Sequence, residues 1–107
     1  MRLFLFVSCI CCFLLLDAQQ IKQPFQIGFY NVENLFDTVH AEYKDDYEFT
    51  PKGKRHWTSE KYWLKQNHTS RVILGLGNWQ GPDVIGLCEV ENSQVLWDLT
   101  RHTNLNG

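Results

Sequence analysis

Two apolar stretches separated by a helix-like segment limit the folds open to this chain more than any other feature. Residues 25–30 alternate apolar residues with small or polar ones and are rich in strand formers, and residues 83–88 form a nearly continuous apolar run. Residues 58–76 are compatible with a helix that has Thr58 as its N-cap. Two strands joined through a helix are expected to be parallel, so the sequence predicts an α/β fold.

The remaining segments complete the predicted order strand, helix, strand, helix. Residues 37–54 predict a long irregular connection, and residues 93–102 predict a second helix. The residues expected to face inward from the two helices are Tyr62, Trp63, Ile73, Leu74, Leu76, Val95, Leu96 and Leu99. The apolar run of residues 83–88 is typical of a strand covered on both faces, which a sheet of two strands cannot provide. We therefore expect the chain to be the first portion of a larger domain.

The first 18 residues have the layout of a cleaved secretory signal. Arg2 gives a positive start, residues 3–16 are apolar apart from Ser8, and Ala18 is a small residue at the expected cleavage position. A helix over this run rises roughly 21 Å, short of the roughly 30 Å hydrocarbon core of a bilayer. We predict a signal peptide at residues 1–18, a secreted or periplasmic product, and no transmembrane anchor after cleavage. An uncleaved anchor is the alternative.

Charge and cysteine content restrict the possible partners. The net charge of −2 gives no broad basic surface for a polyanion, so any phosphate binding must be local. Three of the four cysteines lie in the predicted signal, which leaves Cys88 alone. A single cysteine cannot form an internal disulfide, so export does not imply a disulfide scaffold.

Polar residues follow both predicted strands at the point where each one ends. Asn31 follows the first strand and Glu89 follows the second. Ligands of open α/β sheets bind beyond the carboxyl ends of parallel strands, and neighbouring strands would bring these residues to within roughly 5–10 Å. One carboxylate suits Mg²⁺, which keeps several of its waters, while an asparagine supports a phosphate oxygen or orients the glutamate. The sequence therefore predicts a cation and phosphate site at this edge.

The residues around the two strand ends also resemble a known family. Residues 28–36 resemble the opening strand motif of the endonuclease/exonuclease/phosphatase superfamily, which includes repair exonucleases, deoxyribonucleases, inositol polyphosphate phosphatases and bacterial sphingomyelinases. Residues 83–90 resemble its second motif, an apolar strand that ends in the metal-binding glutamate of the family. Residues 46–57 and 88–92 are similar to a group of exported bacterial members. The resemblance spans roughly residues 25–99.

This resemblance implies a fold, a cofactor and site residues. The family fold is an α+β four-layer sandwich, of which residues 19–107 would form the amino-terminal part. Glu89 would be the metal ligand for Mg²⁺ or Mn²⁺, and Asn31 would belong with it to the catalytic phosphate and metal site. The later Asp-x-Asn segment of the family, its histidine and the aspartate paired with it have no counterpart here. We therefore expect the fragment alone to be inactive.

The resemblance implies metal-dependent hydrolysis of phosphodiester bonds, with nucleic acid as the favoured substrate and no stable protein partner. Alternatives are a phosphatase or phosphodiesterase acting on inositol phosphates or sphingomyelin-like lipids, and a non-catalytic exported binding module. Two sets of residues have both a functional and a purely structural interpretation. The first set either lies beside the site or consists of turn and cap residues: Glu33, Asn34, Glu91 and Asn92. The second set, which precedes Trp57, forms either a phosphate-binding segment or a solvated loop: Lys52, Lys54, Arg55 and His56.

Overall fold

The computed structural model describes residues 24–107. Strand β1 (Ile27–Leu35) is followed by a short 3₁₀ helix (Tyr47–Phe49), helix α1 (Ser59–Leu76), strand β2 (Val84–Val90) and helix α2 (Ser93–Arg101). The predicted α/β class and element order are confirmed. The predicted signal peptide lies outside the described residues. Within residues 24–107, no helix is both long enough and apolar enough to cross a membrane.

The two strands pair in parallel, as the sequence predicts, and their register breaks at one point. Pairing is regular from Ile27 opposite Val84 to Asn31 opposite Cys88, and it resumes where Leu35 meets Val90. The predicted end of the first strand at residue 31 is therefore wrong, because β1 continues to Leu35. The interruption is a β-bulge in which residues 32–34 of β1 stand opposite Glu89 alone.

Helix α1 buries one stripe along its length. Thr58 caps its start, since the Thr58 side chain accepts a hydrogen bond from the backbone N–H of Lys61. The buried residues recur at helical spacing and are Tyr62, Gln66, Thr69, Ser70 and Ile73. Inward positions are thus confirmed for Tyr62 and Ile73. They are wrong for Trp63, which is 36% exposed because it lies to one side of this stripe, and for Leu76, which is 50% exposed at the last residue of α1. Leu74 is half-buried.

Helix α2 completes the core. The side chain of Asn92 caps it by accepting from the N–H of Val95, and Val95 and Leu99 point inward as predicted. The expected inward position of Leu96 is wrong, since Leu96 is exposed one residue away from the Val95–Leu99 stripe. The buried core consists of Val32, Leu35, Tyr62, Ile73, Val95 and Leu99. It joins the end of β1 to both helices.

The expectation that the second strand is covered on both faces is wrong for the described residues. Val84 in β2 is 52% exposed, and Ile27, the residue opposite it on β1, is 75% exposed. Tyr30, Ile85 and Leu87 pack against the core on the opposite face. Within residues 24–107 the helices cover one face of the sheet, so the apolar character of β2 exceeds what this part of the chain buries.

A buried polar chain links the two helices. The hydroxyl of Tyr62 donates to the Asp98 carboxylate at 2.6 Å and accepts from the side-chain amide of Gln66 at 2.8 Å. The same Gln66 amide donates to the backbone carbonyl of Val95 at 3.1 Å. Burial and the hydrogen bond to Asp98 raise the pKa of Tyr62 above its ordinary value. These bonds fix the start of α2 against α1.

The long connection between β1 and α1 is irregular, as predicted, but it is internally bonded. The carboxylate of the buried Asp46 contacts the imidazole of His40 and accepts from the backbone N–H of Ala41 at 3.1 Å. Phe49 stacks on Phe36 with ring centroids 4.2 Å apart. The connection is thereby held against the end of β1.

Candidate cation and phosphate site

Asn31 and Glu89 meet at the carboxyl ends of the two strands, as the sequence predicts. The side-chain amide of Asn31 donates to Glu89 Oε1 at 2.8 Å. The other carboxylate oxygen, Oε2, accepts from the backbone N–H of Asn34 at 3.1 Å. Both side chains are exposed at the edge of the sheet. The predicted proximity is thus confirmed, and the catalytic and metal-binding roles of the two residues stay predictions.

The bulge in β1 is what brings Asn34 to Glu89. Because three residues of β1 span the place of one residue of β2, the chain turns over the end of β2. Glu33 and Asn34 adopt left-handed backbone conformations, with φ of 53° and 61°, and Glu89 itself has φ of 61°. Such conformations cost roughly 1–2 kcal/mol for each non-glycine residue. Backbone strain of this kind clusters at functional sites, where the surrounding structure holds it in place.

Two side chains hold the bulge through its backbone atoms. The side-chain oxygen of Asn31 accepts from the N–H of Glu33 at 2.8 Å, and Lys65 Nζ from helix α1 donates to the carbonyl of Glu33 at 2.5 Å. Burial lowers the pKa of Lys65, while the charges of Glu33 and Glu89 act in the opposite direction. Lys65 is not among the site residues predicted from the sequence. The feature that indicates it is its position in α1 between Tyr62 and Gln66, two buried residues of one helix stripe.

The structural interpretation is supported for Glu91 and Asn92. The carboxylate of Glu91 accepts from the backbone N–H of Asp37 at 3.0 Å, and Asn92 donates to the Asp37 carboxylate at 3.1 Å while capping α2. Burial raises the pKa of Glu91, and the nearby charge of Asp37 adds to this effect. These residues fasten the chain after β1 to the chain after β2, which stabilises the edge where Glu89 lies.

A groove runs from the bulge along α1. It consists of two adjoining hollows of about 410 and 350 Å³, whose shared lining residues are Glu33, Trp57, Lys61 and Lys65. The smaller hollow also includes Asn34, the residue that contacts Glu89, together with Arg55. Three cations therefore line a groove in which Glu33 is the acidic residue, although the whole chain is net negative.

The basic segment before α1 is divided between two surfaces. Arg55 lines the groove, but its guanidinium also pairs with Glu48 at 3.0 Å and lies over the Phe49 ring. Lys52 lines a different hollow, next to His40 and Tyr47. Trp57 has a structural role as well, since its indole N–H donates to the carbonyl of Phe36 at 3.0 Å. The structure thus places Arg55, but not Lys52, beside the bulge.

The donor set at Glu89 fits a hard divalent cation such as Mg²⁺. Its carboxylate offers about four lone-pair positions, of which the two hydrogen bonds use two. Among residues 24–107, no three His, Cys, Asp or Glu side chains cluster closely enough to form a metal cage. Mg²⁺ does not need one, because it binds through one or two carboxylates together with waters and substrate phosphates.

Asn31 is placed to orient Glu89 in this arrangement. Its amide nitrogen faces the Glu89 carboxylate, and its amide oxygen is already bonded to the N–H of Glu33. Partners that hold a metal-binding carboxylate in position are a common part of metal sites. A direct bond from Asn31 to a cation stays a prediction.

Comparison with known proteins gives one family. The profile of the endonuclease/exonuclease/phosphatase family matches residues 26–107, which include both strands, both helices, Asn31 and Glu89. Comparison with curated proteins and with solved structures gives no significant match. Because the matched region covers well over half of the sequence, the chain belongs to the endonuclease/exonuclease/phosphatase family.

Proposed function

We propose that the protein hydrolyses phosphodiester bonds with the help of Mg²⁺ or Mn²⁺ held by Glu89, and that its substrate is nucleic acid. The family acts on phosphate esters. The observation that carries the proposal is the Glu89 carboxylate, which lies at the carboxyl end of β2 and is held by Asn31 and the N–H of Asn34. Open α/β sheets bind their ligands beyond the carboxyl ends of the strands, which is where this carboxylate lies.

In this proposal each residue at the strand ends has a separate task. Glu89 binds the cation, which when bound neutralises negative charge on the phosphate and lowers the pKa of a coordinated water. Asn31 and the Asn34 N–H fix the direction of the carboxylate, so that it need not reorganise when a substrate arrives. This part of the chain thus supplies metal binding and carboxylate orientation.

The groove supports nucleic acid as the substrate class. A strand whose reactive phosphate lies at Glu89 carries further phosphates on each side, and the groove presents Arg55 and Lys61 next to that point. Cationic side chains that follow a backbone, together with an aromatic ring such as Trp57, are typical of single-strand binding surfaces. A small inositol phosphate or a lipid headgroup needs no such extended groove. The groove therefore favours nucleic acid over these two alternative substrates.

The place of action that we propose is outside the cytoplasm. This proposal is based on the sequence of residues 1–18, which has the layout of a cleaved secretory signal. Amino-terminal sequencing of the mature protein would test this directly, because cleavage after Ala18 leaves Gln19 as the first residue.

Calorimetric titration of the full-length protein with Mn²⁺ tests the metal site. Glu89→Gln keeps the size of the side chain and removes its charge, so we expect Mn²⁺ affinity to fall by at least roughly 100-fold, the upper end of what loss of an outer partner costs. Glu60→Gln is the matched control, because Glu60 is exposed in the first turn of α1. Equal affinity in both variants would contradict the assignment of Glu89.

Hydrolysis assays then separate the substrate classes. The same protein is incubated with single-stranded DNA, double-stranded DNA, an inositol polyphosphate and sphingomyelin vesicles, each with Mg²⁺ and with a chelator. We expect chelator-sensitive cleavage of DNA that Glu89→Gln abolishes. Cleavage confined to the inositol or lipid substrate would contradict nucleic acid as the substrate and favour that alternative. A folded protein that neither cleaves any substrate nor binds Mn²⁺ would favour a non-catalytic binding module.

A further inference from the structure

The bulge of β1 contains a peptide unit that is bonded on both of its sides. The carbonyl of Glu33 accepts from Lys65 Nζ at 2.5 Å, and the N–H of Asn34 donates to Glu89 Oε2 at 3.1 Å. These two groups belong to the same planar peptide, whose carbonyl and N–H point in opposite directions. Lys65 and Glu89 therefore hold one rigid unit between them.

The orientation of this peptide decides the environment of the Glu89 carboxylate. In the observed orientation a hydrogen-bond donor faces the carboxylate, whereas rotation of the peptide would bring the Glu33 carbonyl oxygen towards it. The left-handed conformations of Glu33 and Asn34, at φ of 53° and 61°, do not form without cost. An additional bond is therefore needed to keep the peptide in the orientation that Glu89 requires.

Lys65 is well placed to supply that bond. It lies in the middle of α1, which Thr58 caps and which the core residues Tyr62 and Ile73 anchor. It is half-buried, so fewer competing waters reach its ammonium group than on an open surface. Hydrogen bonds to charged donors are stronger than neutral ones, and this one links a rigid helix to a strained segment of the strand.

We propose that Lys65 is a positioning residue for Glu89, acting through the Glu33–Asn34 peptide. It touches neither the carboxylate nor, in this role, the substrate. The proposal rests on the proposed function only in taking Glu89 as the cation-binding residue, since both hydrogen bonds of the peptide are made by protein atoms.

The rival role for Lys65 is direct contact with a substrate phosphate in the groove. Lys61 provides the comparison, because it lines the same groove one turn earlier but donates to the carbonyl of Arg55 at 3.1 Å, away from the bulge. A phosphate-binding role predicts similar behaviour for the two lysines, with substrate affinity reduced and the metal site unchanged. A positioning role predicts that only Lys65 affects Asn34 and Glu89.

The test is nuclear magnetic resonance of the ¹⁵N-labelled full-length protein without metal, which follows the Asn34 backbone amide. In Lys65→Met we expect this resonance to shift and its hydrogen exchange to accelerate by about tenfold, as for loss of one hydrogen bond to a charged group. Lys61→Met should leave it unchanged, and Lys65→Arg, which retains a cationic donor, should restore most of the protection. An unchanged Asn34 amide in a folded Lys65→Met protein would overturn the proposal.

A second readout connects the peptide to the metal site. We expect Lys65→Met to weaken Mn²⁺ binding by roughly 10–100-fold, the usual effect of removing an outer partner, while Lys61→Met does not. If Lys65→Met does not fold, Lys65→Gln replaces it, since a neutral and shorter side chain should expose the Asn34 amide in the same way. Absence of Mn²⁺ binding in the unmodified protein would contradict the proposed function, and the Asn34 amide would still decide the role of Lys65.

Discussion

The side-chain amide of Asn31 donates a 2.8 Å hydrogen bond to Glu89, and its oxygen accepts from the N–H of Glu33. One asparagine therefore orients the carboxylate and also restrains the bulge beside it. We expect Asn31→Ala to reduce Mn²⁺ affinity by roughly 10–100-fold, as for other outer partners of metal ligands. Calorimetric titration measures this change. Because Asn31 is exposed, the melting temperature should change little.

The matched control for Asn31 is Asn104→Ala. Asn104 is also exposed, and it lies in the segment after α2. This variant should bind Mn²⁺ as the unmodified protein does. Equal affinities for Asn31→Ala and the unmodified protein would show that Glu89 needs no help from the amide.

The left-handed conformation of Asn34 predicts a difference between two substitutions at that position. Asn34→Gly keeps easy access to φ of 61°, whereas a β-branched valine does not. We expect Asn34→Val to be less stable than Asn34→Gly by about 1–2 kcal/mol, the cost of a left-handed residue. Chemical denaturation measures the difference. Equal stability of the two variants would mean that the bulge relaxes to another conformation at little cost.

The sequence was sufficient to predict the order of elements and the meeting of Asn31 with Glu89. Both depend on local patterns and on one topological rule, that parallel strands bring their carboxyl ends to the same edge. The bulge was not predictable in the same way. It depends on how many residues of β1 stand opposite Glu89, and this register is set by the burial of Val32 and Leu35 on either side of Glu33.

The errors in the predicted core have a related cause. Trp63, Leu76 and Leu96 are apolar residues of α1 and α2, and hydrophobicity alone places them inside. The helix faces that actually pack include the polar residues Gln66 and Ser70. The side-chain nitrogen of Gln66 and the hydroxyl of Ser70 donate hydrogen bonds that the sequence does not reveal. The contribution of Lys65 was missed for the same reason, since its partner is a backbone carbonyl on another element.

Two glycines in different environments predict opposite effects of alanine. At Gly75 in α1 an added Cβ meets no atom within 4 Å, so Gly75→Ala should stabilise the helix by about 0.5–1 kcal/mol. At Gly53 an added Cβ would lie 2.0 Å from the carbonyl oxygen of Tyr47, so Gly53→Ala should destabilise the connection by roughly 1–3 kcal/mol or more. Thermal denaturation distinguishes them. A rise in melting temperature for Gly53→Ala would contradict the packing of residues 47–53.

The Asp46 carboxylate predicts a dependence of stability on pH. Its burial raises the pKa, but the hydrogen bonds from His40 and the Ala41 N–H and the charge of His40 lower it more, so the net value lies below the ordinary 3.8. A lowered folded-state pKa means that Asp46 stabilises the protein above about pH 4 and that this contribution is lost as the pH falls further. We expect Asp46→Asn to melt below the unmodified protein at pH 7, with the difference shrinking as the pH falls below about 4. Asp45→Asn, a change of the exposed neighbouring residue, should show no such pH-dependent difference. A constant gap for Asp46→Asn across this range would mean that the hydrogen bonds of Asp46 stabilise the connection without depending on its charge.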